Sequence, residues 1–389
     1  MKKLSRQRRV AFNLDLEWLN KRHTGIFAGA QRYANARGWT TIIDEFVDDS
    51  SLYDGVIGRA SRSLAEWSAT QDTPVVNVWH NSPALDLLPG VFPDSVARGR
   101  LRAEHLLSRG FRNFATLTER DVASKLEVAE FVRLIRKAGS RCVMAEVPIH
   151  VAKSQAVWKK TEAIITSWMD RWELPVGVHV SNDFIGRIVV QKCIERGWRV
   201  PEDVGIVAGV NEEAICEQLQ PSLSSVEIGY ERIGFEAAKL LDQLMESKAR
   251  GRRKKQASPP VHLFIPPQGL IVRESTDFYS VEDEVVASAL EFISANSHRN
   301  IGQDDVATAV AIGTRTLQER FRRVLDRPIV SVIRQVRIDR AKRELIQGNQ
   351  SIKTVSRNAG FSSPERMNEV FRRVLGVSPS DFRKDRQSG

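Results

Sequence analysis

The sequence predicts a chain in two parts: a layered α/β region over residues 1–278 and an all-α region with two helix-turn-helix units over 281–389. Three observations predict this. Short β-branched runs alternate with amphipathic stretches as far as about residue 275, the pattern of right-handed βαβ units and a mostly parallel sheet covered on both faces. Strand signals stop after residue 280. The pentapeptide Phe321-Arg322-Arg323-Val324-Leu325 then returns as Phe371-Arg372-Arg373-Val374-Leu375, a displacement of 371 − 321 = 50 residues. The α/β region is long enough for one large sheet or for two lobes.

Taken in order, strands are expected at 9–12, 41–43, 55–58, 75–78, 113–118, 141–147, 176–180, 204–207 and 261–265. Helices are expected between them at 25–37, 94–108, 124–138, 155–168, 183–196 and 230–246. Asp94 can cap the helix whose apolar positions include Val96, Leu101 and Leu106. Gly110 and Gly197 sit where two helices should stop. Pro201-Glu202-Asp203 makes a turn before an apolar strand. The basic stretch 248–255, followed by Ser258-Pro259-Pro260, reads as a solvated loop or as a supplementary phosphate contact.

In the α-helical part, Val306, Ala307 and Val310 form the inner face of a supporting helix, and Ala311-Ile312-Gly313 turns the chain. Leu317, Phe321 and Val324 form the inward stripe of the next helix. Arg315, Thr316, Gln318, Glu319 and Arg322 are left outward. The second unit, about 352–374 against 304–324 for the first, repeats the plan. Ile352, Val355 and Ala359 pack inward, Gly360-Phe361 turns, and Met367, Phe371 and Val374 repeat the stripe. Ser363, Glu365, Arg366, Asn368 and Glu369 then lie at or near the outward face, and Pro364 suits a first helical turn. Long donors early in such a helix can meet base edges: Arg with guanine, Gln with adenine, Glu with a cytosine amino group. Between the units, residues 330–346 predict a long helix with Arg334, Arg337, Arg340 and Arg343 on its polar side.

Charge agrees with a duplex DNA partner. The chain carries +10, and from Ile301 onward 18 Lys+Arg against 10 Asp+Glu give 18 − 10 = +8. Clustered positive charge raises affinity for a polyphosphate through counterion release. Other classes lack support. No run of 18 apolar residues suggests a membrane span, and the basic N-terminus has no apolar stretch after it, so a cytoplasmic location is expected. Cys142, Cys193 and Cys216 are widely spaced, without CxxC or HExxH, so neither a metal nor a disulfide framework is expected. No GxGxxG, P-loop or GxSxG is present, and the seven histidines are scattered, so no cofactor and no enzymatic activity are expected.

In open parallel sheets, ligands collect beyond the carboxyl ends of strands. Asn13 and Asp15 follow the first strand, Asn182 and Asp183 the strand at 176–180, and Asn211 the strand at 204–207. Short amides and carboxylates suit a polyhydroxylated ligand, with Trp18 or Trp79 to cover an apolar ring face.

Two resemblances join these readings. Gln335-Val336-Arg337-Ile338-Asp339-Arg340-Ala341, Gly360-Phe361-Ser362-Ser363, Phe371-Arg372-Arg373 and Gly376-Val377-Ser378-Pro379-Ser380-Asp381-Phe382-Arg383 resemble the DNA-binding domain of AraC/XylS-type regulators over 285–384. That implies two helix-turn-helix units in successive major grooves, offering Arg315, Gln318 and Glu319, then Glu365, Arg366 and Glu369. Glu319 and Glu369 stand where the family often has Arg, so they are candidates for organising arginines as well as for reading bases. Residues 180–186, 195–204 and 221–226 resemble the effector domain of LacI/GalR-type regulators, over about 8–270. That implies a two-lobed, periplasmic-binding-protein-like α/β fold with a small-molecule cleft. The combination resembles the xylose-operon regulators as a group. It implies a transcription regulator answering to a monosaccharide such as xylose, acting as a homodimer, and meeting RNA polymerase if it activates. An α/β sugar- or nucleotide-handling enzyme with an accessory helical domain, or an effector-independent repressor, are the competing readings.

Overall fold

The computed structural model describes residues 7–16, 21–50, 52–149, 153–218, 220–250, 259–277, 281, 283–325, 327–347, 350–375 and 377–387. The α/β region resolves into two lobes. The first carries β1 (Arg9–Asn13), α1 (Lys21–Ala36), β2 (Thr40–Ile43), β3 (Gly55–Gly58), α2 (Arg62–Thr70), β4 (Val75–Asn77) and β5 (Gly90–Pro93). The chain then enters the second lobe with α3 (Ser95–Ser108), β6 (Asn113–Glu119), α4 (Val122–Lys137), β7 (Arg141–Val147), α5 (Gln155–Met169), β8 (Val176–Val180), α6 (Asp183–Glu195), β9 (Val204–Ala208), α7 (Glu213–Cys216) and β10 (Ser224–Glu227). It returns through α8 (Tyr230–Ala249) and β11 (His262–Ile265), and crosses a third time to β12 (Gly269–Ile271).

Each lobe is built on a six-stranded sheet, ordered β11-β5-β4-β3-β1-β2 and β12-β10-β9-β8-β6-β7. Pairing is parallel throughout except for β12, which runs antiparallel to β10 at one edge. The central strands β8 and β9 are apolar or glycine apart from His179, because helices cover both faces; every residue of both is buried. The three crossings lie side by side, at Pro93–Asp94, Ile228–Gly229 and Pro266–Gln268. Gly229 adopts φ 77°, and a Cβ there would press on Gln268 of the neighbouring crossing at 2.8 Å. Helices α1 and α8 pack at a distance only glycine permits: a Cβ on Gly29 would lie 1.8 Å from the Glu231 carbonyl oxygen, and one on Gly234 1.9 Å from that of Ile26.

The expected caps and stops are present. Asp94 accepts from the Ala97 amide at 2.9 Å, and Gly110 and Gly197 take φ 88° and 73° at helix ends. The sequence missed α2, α7, β5, β10 and β12.

The last part is purely helical among the described residues: α9 (Glu284–Ala295), α10 (Gln303–Ala309), α11 (Thr314–Leu325), α12 (Ile329–Gln347), α13 (Ile352–Asn358), α14 (Pro364–Leu375) and α15 (Pro379–Gln387). It holds two separate cores. Val286, Leu290, Val306, Leu317 and Phe321 build one with the first half of α12; Ile338, Leu345, Val355, Met367 and Phe371 build the other with its second half. One expectation fails, in the second reading helix: Val374 is 44% exposed, while Val370 is buried and Leu375 packs on the second core. Its counterpart Val324 is half-buried and packs on the first core. At the last turn of α14 the supporting helix no longer covers the stripe.

Candidate functional site

The exposed faces of α11 and α14 form one candidate site. Arg315, Thr316, Glu319 and Arg322 are exposed on α11, with Gln318 half-buried; Glu365, Arg366 and Glu369 are exposed on α14, with Ser363 and Asn368 half-buried. The helices hold these side chains in different ways. Arg315 donates through Nε to Glu319 Oε1 at 3.3 Å, and Gln318 donates to Gln303 Oε1 at 2.7 Å. On α14, Glu369 grips Arg366 with one carboxylate oxygen and Arg373 with the other. The Arg366 contact comes first in holding the Glu369 carboxyl below its ordinary range. Ser363 accepts the Arg366 amide at 3.2 Å, and its side chain also lowers the Glu365 carboxyl.

The arginines of α12 are not simply presented to solvent as expected. Arg337 donates to the Ile301 carbonyl at 2.6 Å and Arg340 to Ser297 at 3.4 Å, so both fasten α12 to the segment between α9 and α10. The side chain of Arg343 lies outside the described set.

The second candidate site is the cleft between the α/β lobes, and here the expected residues have other duties. Asn182 caps α6, its side chain accepting from Phe184 and Ile185. Buried Asp183 takes the amides of Val210 and Glu212 and the Ser225 hydroxyl, at 3.0, 2.9 and 2.7 Å. Asn211, at φ 58°, donates to Glu227 and accepts from Arg273. Asn13 donates to the carbonyls of Asp44 and Glu45, and Asp15 lies 4.0 Å from Arg59. Short polar residues at strand ends satisfy local backbone first. Trp18 lies outside the described residues.

The open pocket is lined instead by Arg22, Ile26, Val78, Trp79, His80, Asn81, Pro93, Ser95, Arg98, Ala123 and Tyr230. Its polar groups come from both lobes. Asn81 reaches across to donate to Asp121 Oδ1 at 3.0 Å and to accept the Ala123 amide at 3.0 Å. Lys21 spans the same gap to Glu227 at 2.9 Å, while its amide donates to Glu212 at 3.1 Å. Arg98 donates to Ser95 Oγ at 3.0 Å and pairs with Glu127 at 2.8 Å. Glu127 is shared with Arg102 and His179. Burial, with Arg98 and His262 adding to it, holds the His80 ring below its usual range. Burial and then Asp121 push the Glu119 carboxyl up to about 7, against the pull of Arg22. Trp79 carries the Arg59 guanidinium 4.1 Å from its ring centre. Trp79 is among the expected residues; His80 and Asn81 follow it after β4, so applying the strand-end rule to that strand would have found them, while Arg22 and Arg98 lie inside helices and leave no local sign.

Comparison with known proteins bears on both sites. A periplasmic binding protein-like domain matches residues 103–276, and a helix-turn-helix domain matches 306–385. The xylose operon regulatory protein of Escherichia coli K12 is 25% identical over 342 residues, covering 85% of this chain and 84% of its own. The protein of that name from Haemophilus influenzae is 28% identical over 300 residues, covering 76% and 74%. An AraC-like transcription regulator from Streptomyces lividans is 31% identical over 102 residues, 26% of this chain and 34% of its own. A solved structure of a xylose-binding transcription activator has the same fold, with a TM-score of 0.59 at 23% identity over 98% of both chains. A regulator solved with cellobiose shares the two-lobed part, at TM-score 0.53 and 21% identity over 69% of this chain and 85% of that one. The chain is a DNA-binding transcription regulator that joins a periplasmic-binding-protein-like domain to an AraC-type tandem helix-turn-helix domain.

Proposed function

We propose that this regulator acts in the cytoplasm as a homodimer without enzymatic activity, and that its interlobe cleft takes a monosaccharide or a close derivative. The observation that carries the reading is the set of polar bridges across the cleft, Asn81 to Asp121 and Lys21 to Glu227. A ligand seated among them touches both lobes and so distinguishes open from closed arrangements. Only such differential binding can bias the equilibrium. The relatives named for the xylose operon make xylose the reference compound. Closure changes the angle between lobes, and in a dimer it resets the spacing of two reading domains on a promoter; where that activates, RNA polymerase is the further partner.

Arg315, Thr316, Gln318, Glu319, Arg322, Ser363, Glu365, Arg366, Asn368 and Glu369 are the residues proposed to face DNA. Fluorescence anisotropy on the chain's own promoter, with and without sugars, tests the whole reading. Ligand is expected to change affinity or cooperativity. Binding that is identical in every condition would reject the coupling.

A further inference from the structure

We infer that the effector carries an anionic group, a carboxylate or phosphate, and that this group is clamped between Arg22 of one lobe and Arg98 of the other. The inference rests on the cleft being the effector site and adds the chemical class of its ligand.

The lining is the first ground. Among the described residues that line the pocket there are two arginines and a histidine, and no Asp or Glu. A neutral sugar brings a proton on every hydroxyl, and each needs an acceptor. Of the carboxylates nearby, Asp121 accepts from Asn81 and from the amide and hydroxyl of Ser124, and Asp94 caps α3; Glu119, beside Arg22, has its carboxyl pushed up to about 7. Asn81 has both ends of its amide in use. Of the remaining groups, the Arg98 Nε is buried without a hydrogen-bond partner and can only donate; the His80 Nδ1 is likewise unpartnered and takes either role with its tautomer. A carboxylate or phosphate brings acceptors alone and fits the guanidinium fork.

The backbone is the second ground. Four helices begin at the pocket: Arg22 is the second residue of α1, Ser95 the first of α3, Ala123 the second of α4 and Tyr230 the first of α8. Each has at least 14 residues. Helix N-termini favour negative charge, and here they converge on one space.

Charge balance is the third ground. Glu127 is the shared counter-ion of buried Arg98 and Arg102, so one carboxylate serves two guanidinium groups. Arg22 and Arg98 come from opposite lobes, on α1 and α3, and face the same pocket. An anion between them turns a repulsion across the cleft into a bridge, and so favours closure.

Calorimetry and thermal unfolding of the full chain test this with matched compounds: D-xylose against D-xylonate, D-glucose against D-glucuronate, and D-xylose 5-phosphate. At least one acid is expected to bind about tenfold or more tightly than its neutral parent, and the comparison of carboxylates with the phosphate identifies which anion is taken. Arg22→Gln should lose that preference, bringing the affinity for the acid down to that for its neutral parent. Arg98→Gln is the second arm, read only where unfolding remains cooperative, because Arg98 also holds Glu127. A neutral parent binding as tightly as its acid overturns the anion inference and leaves sugar sensing intact. Failure of every compound to bind overturns both.

Discussion

The two helix-turn-helix units differ most in what holds their arginines. In the second unit one residue of the reading helix, Glu369, takes both Arg366 and Arg373. In the first, the equivalent Glu319 takes only Arg315, while Arg323, the equivalent of Arg373, is held from outside the unit by Asp283, 3.0 Å away. Asp283 also holds Arg320 at 2.9 Å and caps α9. Arg366 and Arg373 of the second reading helix are therefore held within their own helix, whereas Arg320 and Arg323 of the first are tied to the segment that leads in from the α/β lobes. A repeat can keep its apolar stripe and still give its copies different attachments, because charged contacts change without repacking a core.

The largest expected effects test whether the two cores are independent. Phe321 and Phe371 are each fully buried, in different clusters. Phe321→Ala and Phe371→Ala should each cost about 3–5 kcal/mol of local stability. Hydrogen exchange should show the loss confined to the half that carries the change. Equal loss of protection in both halves would break the two-core comparison.

The turns come next. In the second unit Gly360 takes φ 69°, and a Cβ would lie 2.4 and 2.6 Å from the carbonyl oxygens of Arg299 and Ser297. Gly360→Ala should cost more than the roughly 1 kcal/mol of a left-handed alanine alone, because backbone must also shift. The first unit places Ala311 at φ 54° in the corresponding bend, exposed. There Ala311→Gly should leave stability level or raise it by up to about 1 kcal/mol. Chemical denaturation of the pair reads the opposite signs.

Asp283 has no counterpart in the second unit. Asp283→Ala removes a helix cap and two ion pairs, and should cost about 1–2 kcal/mol. Burial pushes its carboxyl up, but the Val286 amide and Arg320 and Arg323 pull it net below its ordinary value of 3.8. A depressed carboxylate stabilises the fold above its unfolded pKa and loses that contribution as pH falls through the folded one. The stability gap between wild type and variant should therefore be full at neutral pH and shrink below about pH 4. A gap independent of pH in acid would assign Asp283 no electrostatic part.

The same contrast explains what was legible in the sequence. Strands β8 and β9 announce themselves because both faces are buried and every position is apolar or glycine, apart from His179. β10, Ser-Ser-Val-Glu, is equally buried but reads as polar; its serine hydroxyls bond Thr276 and Asp183, partners set by tertiary structure. β5 is four residues, follows Pro89 and ends on Pro93. Outward positions on α11 and α14 follow from helical periodicity, a local property that fails only at the last turn, at Val374. The cleft offered no such rule. Asn182, Asp183 and Asn211 stand where ligands collect, yet capping and turn geometry claim them. Arg22 and Arg98 reach the pocket by helix packing across the lobes, which no short stretch of sequence encodes.

The smallest expected effect bears on the reading itself. If Glu369 tempers the charge of its helix, Glu369→Gln frees two arginines for phosphate, while Glu319→Gln frees only one. Each freed arginine that meets a phosphate steepens the dependence of log affinity on log salt by about 0.9. On a non-operator duplex the Glu369 variant should therefore show a slope steeper by up to about 2, and the Glu319 variant by up to about 1. Affinity for non-operator DNA should rise in the same order, so the ratio of operator to non-operator binding narrows more for Glu369. Were the two variants to share one slope, the grip of Glu369 on Arg373 would have no bearing on how the second helix meets DNA. Were the operator alone to suffer, with the salt slope unchanged, both glutamates would be reading bases directly, as a cytosine amino group would allow.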